Sequence, residues 1–130
     1  MKRQKGQSIV EFAIVFPFFM FIFLAIIYMG MLFADYLTLS YITRDSARLA
    51  SIGTAEQNIR SKYKNTKLIT GLYSWGTDLK TNPNAFIIEE KTVSGDDCMM
   101  VTSECTTTSG FMGFSLPSPI RIQYSMHKEK

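Results

Sequence analysis

The residues with the most chemical content lie at the start of the chain. Gly6-Gln7-Ser8-Ile9-Val10-Glu11 sits between a basic head (Lys2, Arg3, Lys5) and a run without charge from Phe12 to Ala34. A carboxylate at mid-membrane depth is unfavourable by roughly 2.5–3.5 kcal/mol, less near the interface, so Glu11 calls for compensation. Cutting the chain after Gly6 would supply it. The side-chain-free Gly6 admits a protease to an extended backbone, and the new amine at Gln7, with a reference pKa of about 7.7–8, would be largely protonated at neutral pH. Gln7 and Glu11 stand four apart, on one face of a helix. The competing reading makes Gly6 a flexible hinge and leaves Glu11 at the level of the lipid headgroups. On the first reading the chemistry is done to this chain, and on neither is it done by it. His127 is the only histidine, and there is neither a phosphate-cradling glycine loop nor a nucleophile elbow. Glu89-Glu90 and Asp96-Asp97 are adjacent pairs that a strand would turn to opposite faces. No enzymatic activity, cofactor or metal is expected.

The elements around these residues follow from the pattern of charge. The run Phe12–Ala34 would measure about 34 Å as a helix, enough for a bilayer core of about 30 Å. It is longer than the apolar region of a secretory signal, and Ala34 leads into Asp35-Tyr36-Leu37 without a small-residue cleavage pattern. The basic residues precede it, so the N-terminus is expected in the cytoplasm and the remainder exported. The formal net charge of +3 resides entirely in Lys2, Arg3 and Lys5. Without them acids and bases balance, which removes the electrostatic argument for binding nucleic acid. Pro17 interrupts the apolar run and predicts a kink. Gly30 and Ala34 form a small-residue pair of low specificity.

Beyond Asp35 no glycine or proline occurs until Gly53, and Leu39, Ile42, Leu49, Ile52 and Ile59 repeat at gaps of three and seven. This predicts that the helix continues out of the membrane, with Asp45 pairing to Arg48. Arg60, Lys62, Lys64 and Lys67 read as a solvated helix end or as a patch for an acidic neighbour. Gly71, Gly76, Asn82 and Pro83 punctuate a loop, and Trp75 reads as a core or lid anchor. Ala85–Val93, Cys98–Cys105 and the alternating Ile120–Met126 predict three strands, with Ser94–Asp97 as a turn between the first two. The fold class is therefore α+β: a long N-terminal transmembrane helix extending into an exported helix, packed with a small antiparallel sheet. The expected organisation is a leader at 1–6, a transmembrane helix at 7–34, a helical extension at 35–60 and an exported β-rich region at 61–130. In an exported segment Cys98 and Cys105 are expected to oxidise. The bridge would close a loop worth about 2.5 kcal/mol, the alternative being two reduced thiols. A zinc site is not expected from two cysteines and one distant histidine.

Gly6-Gln7-Ser8-Ile9-Val10-Glu11-Phe12-Ala13, followed by Pro17 and the apolar run, resembles the start of TadE-like proteins. These are minor pilin-like subunits, or pseudopilins, of the tight-adherence (Flp-type) pilus assembly machinery. Thr43-Arg44-Asp45-Ser46-Ala47-Arg48-Leu49-Ala50 is similar to the family's Ala-Ala-Arg-Glu-Ala-Ala-Arg block, with Thr43 and Ser46 in place of alanines. Ile120–Glu129 is similar to its terminal strand. The resemblance implies cleavage between Gly6 and Gln7 by an inner-membrane prepilin peptidase. It implies a role for Glu11 in processing or assembly, and residence in the bacterial cytoplasmic membrane among other pilins, lipid and the assembly platform. Arg44 and Arg48 lie one turn apart, either solvated above the membrane or contacting an acidic partner. A different class of function remains open at this point: a single-pass anchor carrying a binding or sensing domain, with its leader uncut. So does a secreted soluble factor that has lost the run to Ala34.

Overall fold

A computed structural model describes residues 2–75, 85–107 and 116–129. Gly76, Asn82 and Pro83, read above as loop punctuation, lie outside the described residues. In chain order the elements are α1 (Lys2–Ser51), α2 (Glu56–Tyr63), β1 (Tyr73–Ser74), β2 (Phe86–Val93), β3 (Asp96–Thr107) and β4 (Ile120–His127). The chain divides into two compact units, Met1–Phe33 and Ala34–Lys130.

The first unit is the apolar part of α1. The helix runs through Pro17 without ending there. Its most apolar stretch has a mean hydropathy of 2.6, none of it buried by other parts of the chain. Ile9, Val10, Phe12, Phe18, Phe19 and Ile26 all stand exposed. A helix apolar all round, with no protein covering it, suits a lipid or a helical neighbour better than water. Among the described residues it is the one helix long and apolar enough to cross a membrane.

The second unit is α+β, as its strand periodicities predict. β3 is the central strand, antiparallel to β2 on Asp96–Ser103 and to β4 on Cys98–Cys105, and its last two residues pair with β1. The β2–β3 connection is tighter than the expected four-residue turn. Val93 pairs with Asp96, which leaves Ser94 and Gly95, both at positive φ (56° and 95°). That is the backbone of a two-residue hairpin whose twist matches the strands it joins.

Along β3 the odd positions face the helices: Val101, Ser103 and Cys105 are buried. α1 meets them with Asp35, Leu39, Ile42, Thr43, Ser46, Ala47 and Ala50, a buried stripe at helical spacing. The core gathers Ile42, Ala47, Ala50, Ile59, Tyr63, Phe86 and Val101, with Trp75, Met99 and Met126 packed against it. Trp75 meets Phe86 edge to face, the ring centroids 6.1 Å apart, and so takes the core role expected of it.

Three expectations are corrected. The seven-residue seam holds only in part: Leu39 and Ile42 are buried and Leu49 packs against the core, but Ile52 is 53% exposed and the buried Ile59 belongs to α2. The packed stripe sets small and polar residues beside Leu39 and Ile42. Thr43 accommodates its hydroxyl by donating to the Leu39 carbonyl at 2.7 Å. The helix stops because Gly53 takes φ +82°. Its N–H donates to Ala50 O at 3.1 Å while Thr54 N–H donates to Leu49 O at 3.0 Å, the paired closure of a Schellman motif.

The second correction concerns the cysteines. Cys98 and Cys105 are free thiols on the same uninterrupted strand. Seven residues of strand place their Cα atoms about 23 Å apart on opposite faces, whereas a disulfide needs them within about 7 Å. Third, Asp45 does not pair with Arg48. It accepts from Lys62 Nζ at 2.7 Å and from the Tyr63 hydroxyl, tying α1 to α2.

Candidate functional site

In the first unit, the Gln7 side-chain amide donates to Glu11 Oε1 at 3.2 Å across one turn. The sequence-predicted pair is thus brought together, and Gln7 already partners the carboxylate through its side chain. Gly6 lies within α1, exposed, and a Cβ added there would meet nothing within 4 Å. Conformational freedom rather than tight packing is what glycine offers at this position. A protease working on extended backbone would have to unwind this first stretch of helix, where unpaired amides and end fraying keep the cost low.

In the second unit, α1 leaves the apolar run at Asp35, which is 2% exposed. Its Oδ1 accepts from the Thr70 N–H at 2.9 Å and its Oδ2 from the Thr70 hydroxyl at 2.5 Å. The carboxylate, read from the sequence only as the boundary of the apolar run, pins the segment after α2 to the root of the helix. No local signal marks this pairing, since 35 residues separate the partners.

About two turns further along, on the face beside the buried stripe, Tyr41, Arg44, Asp45 and Arg48 line an open cleft of about 440 Å³ with Met126 of β4. Arg44 and Arg48 are exposed, and neither forms an ion pair with a described residue. Asp45, the one acid of the lining, is engaged by Lys62 and Tyr63, whose hydrogen bonds hold its carboxyl below the usual range with a smaller contribution from Arg48. The cleft therefore presents uncompensated positive charge.

Other cations are used structurally. Arg60 donates to the Phe86 carbonyl at 2.8 Å, lies 5.4 Å over the Phe86 ring and pairs with Glu56 at 2.6 Å. On the outer sheet face Arg121 pairs with Glu104 at 2.7 Å. His127 is exposed opposite Cys98. Among the described residues no group of three metal-ligating side chains assembles.

The buried hydroxyl and thiol groups give this unit a base-labile interior. Burial, then the neighbouring Asp45, pushes the Tyr63 phenol up to about 12 from its ordinary 10.0. Burial, then the charge of Asp35, pushes the Cys105 thiol up to about 11 from 9.0. A raised folded-state value means that the fold favours the protonated form. These contributions are complete below the unfolded values of 9.0 and 10.0 and are lost as pH rises through about 11 and about 12. Melting temperature measured in detergent is expected to fall steeply across that alkaline window, and Tyr63→Phe should flatten the upper part of the slope.

The α1 residues of the cleft, Asp35 and the Gln7–Glu11 pair share one stretch of sequence. Residues 6–48 match the family model described as TadE-like protein. The TadE-like segment takes in Gly6, Gln7, Glu11, Asp35, Arg44 and Arg48, and ends before Gly53 terminates the helix. It contains the apolar helix and most of the buried stripe, while the sheet lies beyond it. The TadE-like family is one of pilus-assembly components. No curated protein and no solved structure matches the chain significantly.

Proposed function

We propose that this chain is a minor pilin-like subunit of a Flp-type pilus or a related secretion system, anchored by α1 with its N-terminus in the cytoplasm. Prepilin peptidase removes residues 1–6. The mature helix then packs beside other pilin helices, and Ala34–Lys130 is carried on the exported side of the bacterial cytoplasmic membrane. The chain is a substrate and a building block, not a catalyst. The observation that carries the reading is the conjunction of Gln7 and Glu11 on one turn with an uncovered, membrane-length apolar helix immediately after them. Cleavage at Gly6 would add a positive chain end one turn from Glu11, and in a low-dielectric bundle such a charge pair favours one axial stagger over its neighbours. Glu11 on this reading serves register and recruitment.

Intact mass of the polypeptide extracted from membranes of a host with a working pilus apparatus tests the reading. A chain beginning at Gln7 is expected. One beginning at Met1 would instead make this an uncut single-pass anchor for a binding or sensing module.

A further inference from the structure

We propose that the Tyr41–Arg44–Arg48–Met126 cleft is a docking site for a paired-carboxylate segment of a second, different exported protein. The inference rests on the function proposed above only for the side of the membrane on which the cleft lies.

Arg44 and Arg48 are one helical turn apart, which sets their Cα atoms about 6 Å from each other. Two carboxylates match that spacing when they sit four apart on a helix or two apart on a strand. The exposed ring of Tyr41, 69% accessible, and the half-buried thioether of Met126 add apolar surface beside the two cations. Aromatic, methionine and arginine side chains are the types enriched where interfaces concentrate their binding energy.

Two other occupants fit less well. Arg44 lies ten residues beyond the apolar run, about 15 Å along the helix. A bilayer's headgroup layer extends only about 5–8 Å past the hydrocarbon on each side. The cleft therefore stands clear of lipid phosphates. A second copy of this chain is a poorer match: none of its acidic residues lie two, three or four positions apart, and its cross-strand carboxylates Glu90 and Asp97 are already engaged by Lys128 and Thr92. Its adjacent pairs, Glu89-Glu90 and Asp96-Asp97, are on strands and point to opposite faces.

The test uses the full chain in phosphatidylcholine nanodiscs. The probe is an alanine-based helical peptide bearing glutamates at i and i+4, compared with the same peptide bearing glutamines. The glutamate peptide is expected to bind about tenfold more tightly at low ionic strength, with the advantage shrinking as salt is added. The double variant Arg44→Ala/Arg48→Ala should abolish the difference, whereas Lys64→Ala/Lys67→Ala, which removes the same charge elsewhere, should retain it. All four side chains are exposed or half-exposed, so the unchanged melting temperature of each variant serves as the folding control. Equal binding of both peptides, or equal loss in the two double variants, would overturn the proposal. So would displacement of the peptide by phosphatidylglycerol in the disc, or an Arg44- and Arg48-dependent dimer in sedimentation without peptide. The starting residue of the chain, read separately by mass, decides the processing question whatever the titration shows.

Discussion

Phe86→Ala is expected to cost the Ala34–Lys130 unit about 3–5 kcal/mol, the range for deleting a buried aromatic side chain. Phe86 is 1% exposed and three elements converge on it. It is packed in one cluster with Ile42, Ala47 and Ala50 of α1, Trp75 meets it edge to face, and the Arg60 guanidinium covers its ring. A domain of this size is stable by roughly 5–15 kcal/mol, so the substitution removes a large part of the margin. At about 4–8 °C per kcal/mol the melting temperature should drop by at least 12 °C or so. Near-ultraviolet circular dichroism and Trp75 fluorescence would follow the transition. Helical ellipticity from the apolar part of α1 should survive it, because that part forms its own compact unit. A variant that melts within a few degrees of the parent would show that the cluster is not the centre of stability.

The second large effect is expected at Asp35. Asp35→Ala strips the acceptor from both the Thr70 N–H and the Thr70 hydroxyl. Leaving such donors without partners costs about 2–3 kcal/mol together. Asp35→Asn keeps one carbonyl oxygen, and its amide can donate to the Thr70 oxygen, so its cost should be nearer 1 kcal/mol. The contrast between the two variants, together with Thr70→Ala, forms a double-mutant cycle. Coupling between Asp35 and Thr70 well above the experimental error is the expected result, read from denaturant midpoints in detergent. Additive losses would mean that the clamp contributes little beyond the helix itself.

These two residues mark the boundary between what local sequence reveals and what it hides. The strands were legible because alternation such as Ile120, Ile122, Tyr124 and Met126 against Arg121, Gln123 and Ser125 is a two-residue period that only one backbone geometry uses. The Ser94-Gly95 turn was legible because it needs a conformation that few residues adopt, whereas the helical extension was expected to reach residue 60 and α1 ends at Ser51, closed by Gly53. That Gln7 and Glu11 share one face was legible because they stand one helical turn apart, although the bond formed by the Gln7 side-chain amide was not.

The packed face of α1 was legible at Leu39, Ile42 and Leu49 but not between them, since the seven-residue reading looks for large apolar side chains. This helix also buries Thr43, Ser46, Ala47 and Ala50, which that pattern passes over. The Asp45–Lys62–Tyr63 node, the Arg60–Phe86 carbonyl bond and the Asp35–Thr70 clamp join residues 17 to 35 positions apart. No periodicity encodes such separations. The cysteine pairing failed for a related reason. Spacing alone does not say whether the intervening chain turns back or runs straight, and here it runs straight along β3.

The far end of the chain closes on the first helix. Glu129 N–H donates to the Ser51 carbonyl at 3.0 Å, Lys128 N–H donates to Asp97 O at 2.9 Å, and β4 lies along β3 through Cys98–Cys105. A chain exported outward from its anchor, the N-terminus held in the cytoplasm, delivers Ser51 before Glu129. Under the proposed topology α1, α2 and the β2–β3 hairpin reach the exported side before β4 does. Val101 can meet its partners on α1 and β2 once β3 is across, whereas the β3–β4 seam and the bond from Glu129 to Ser51 close only when β4 follows.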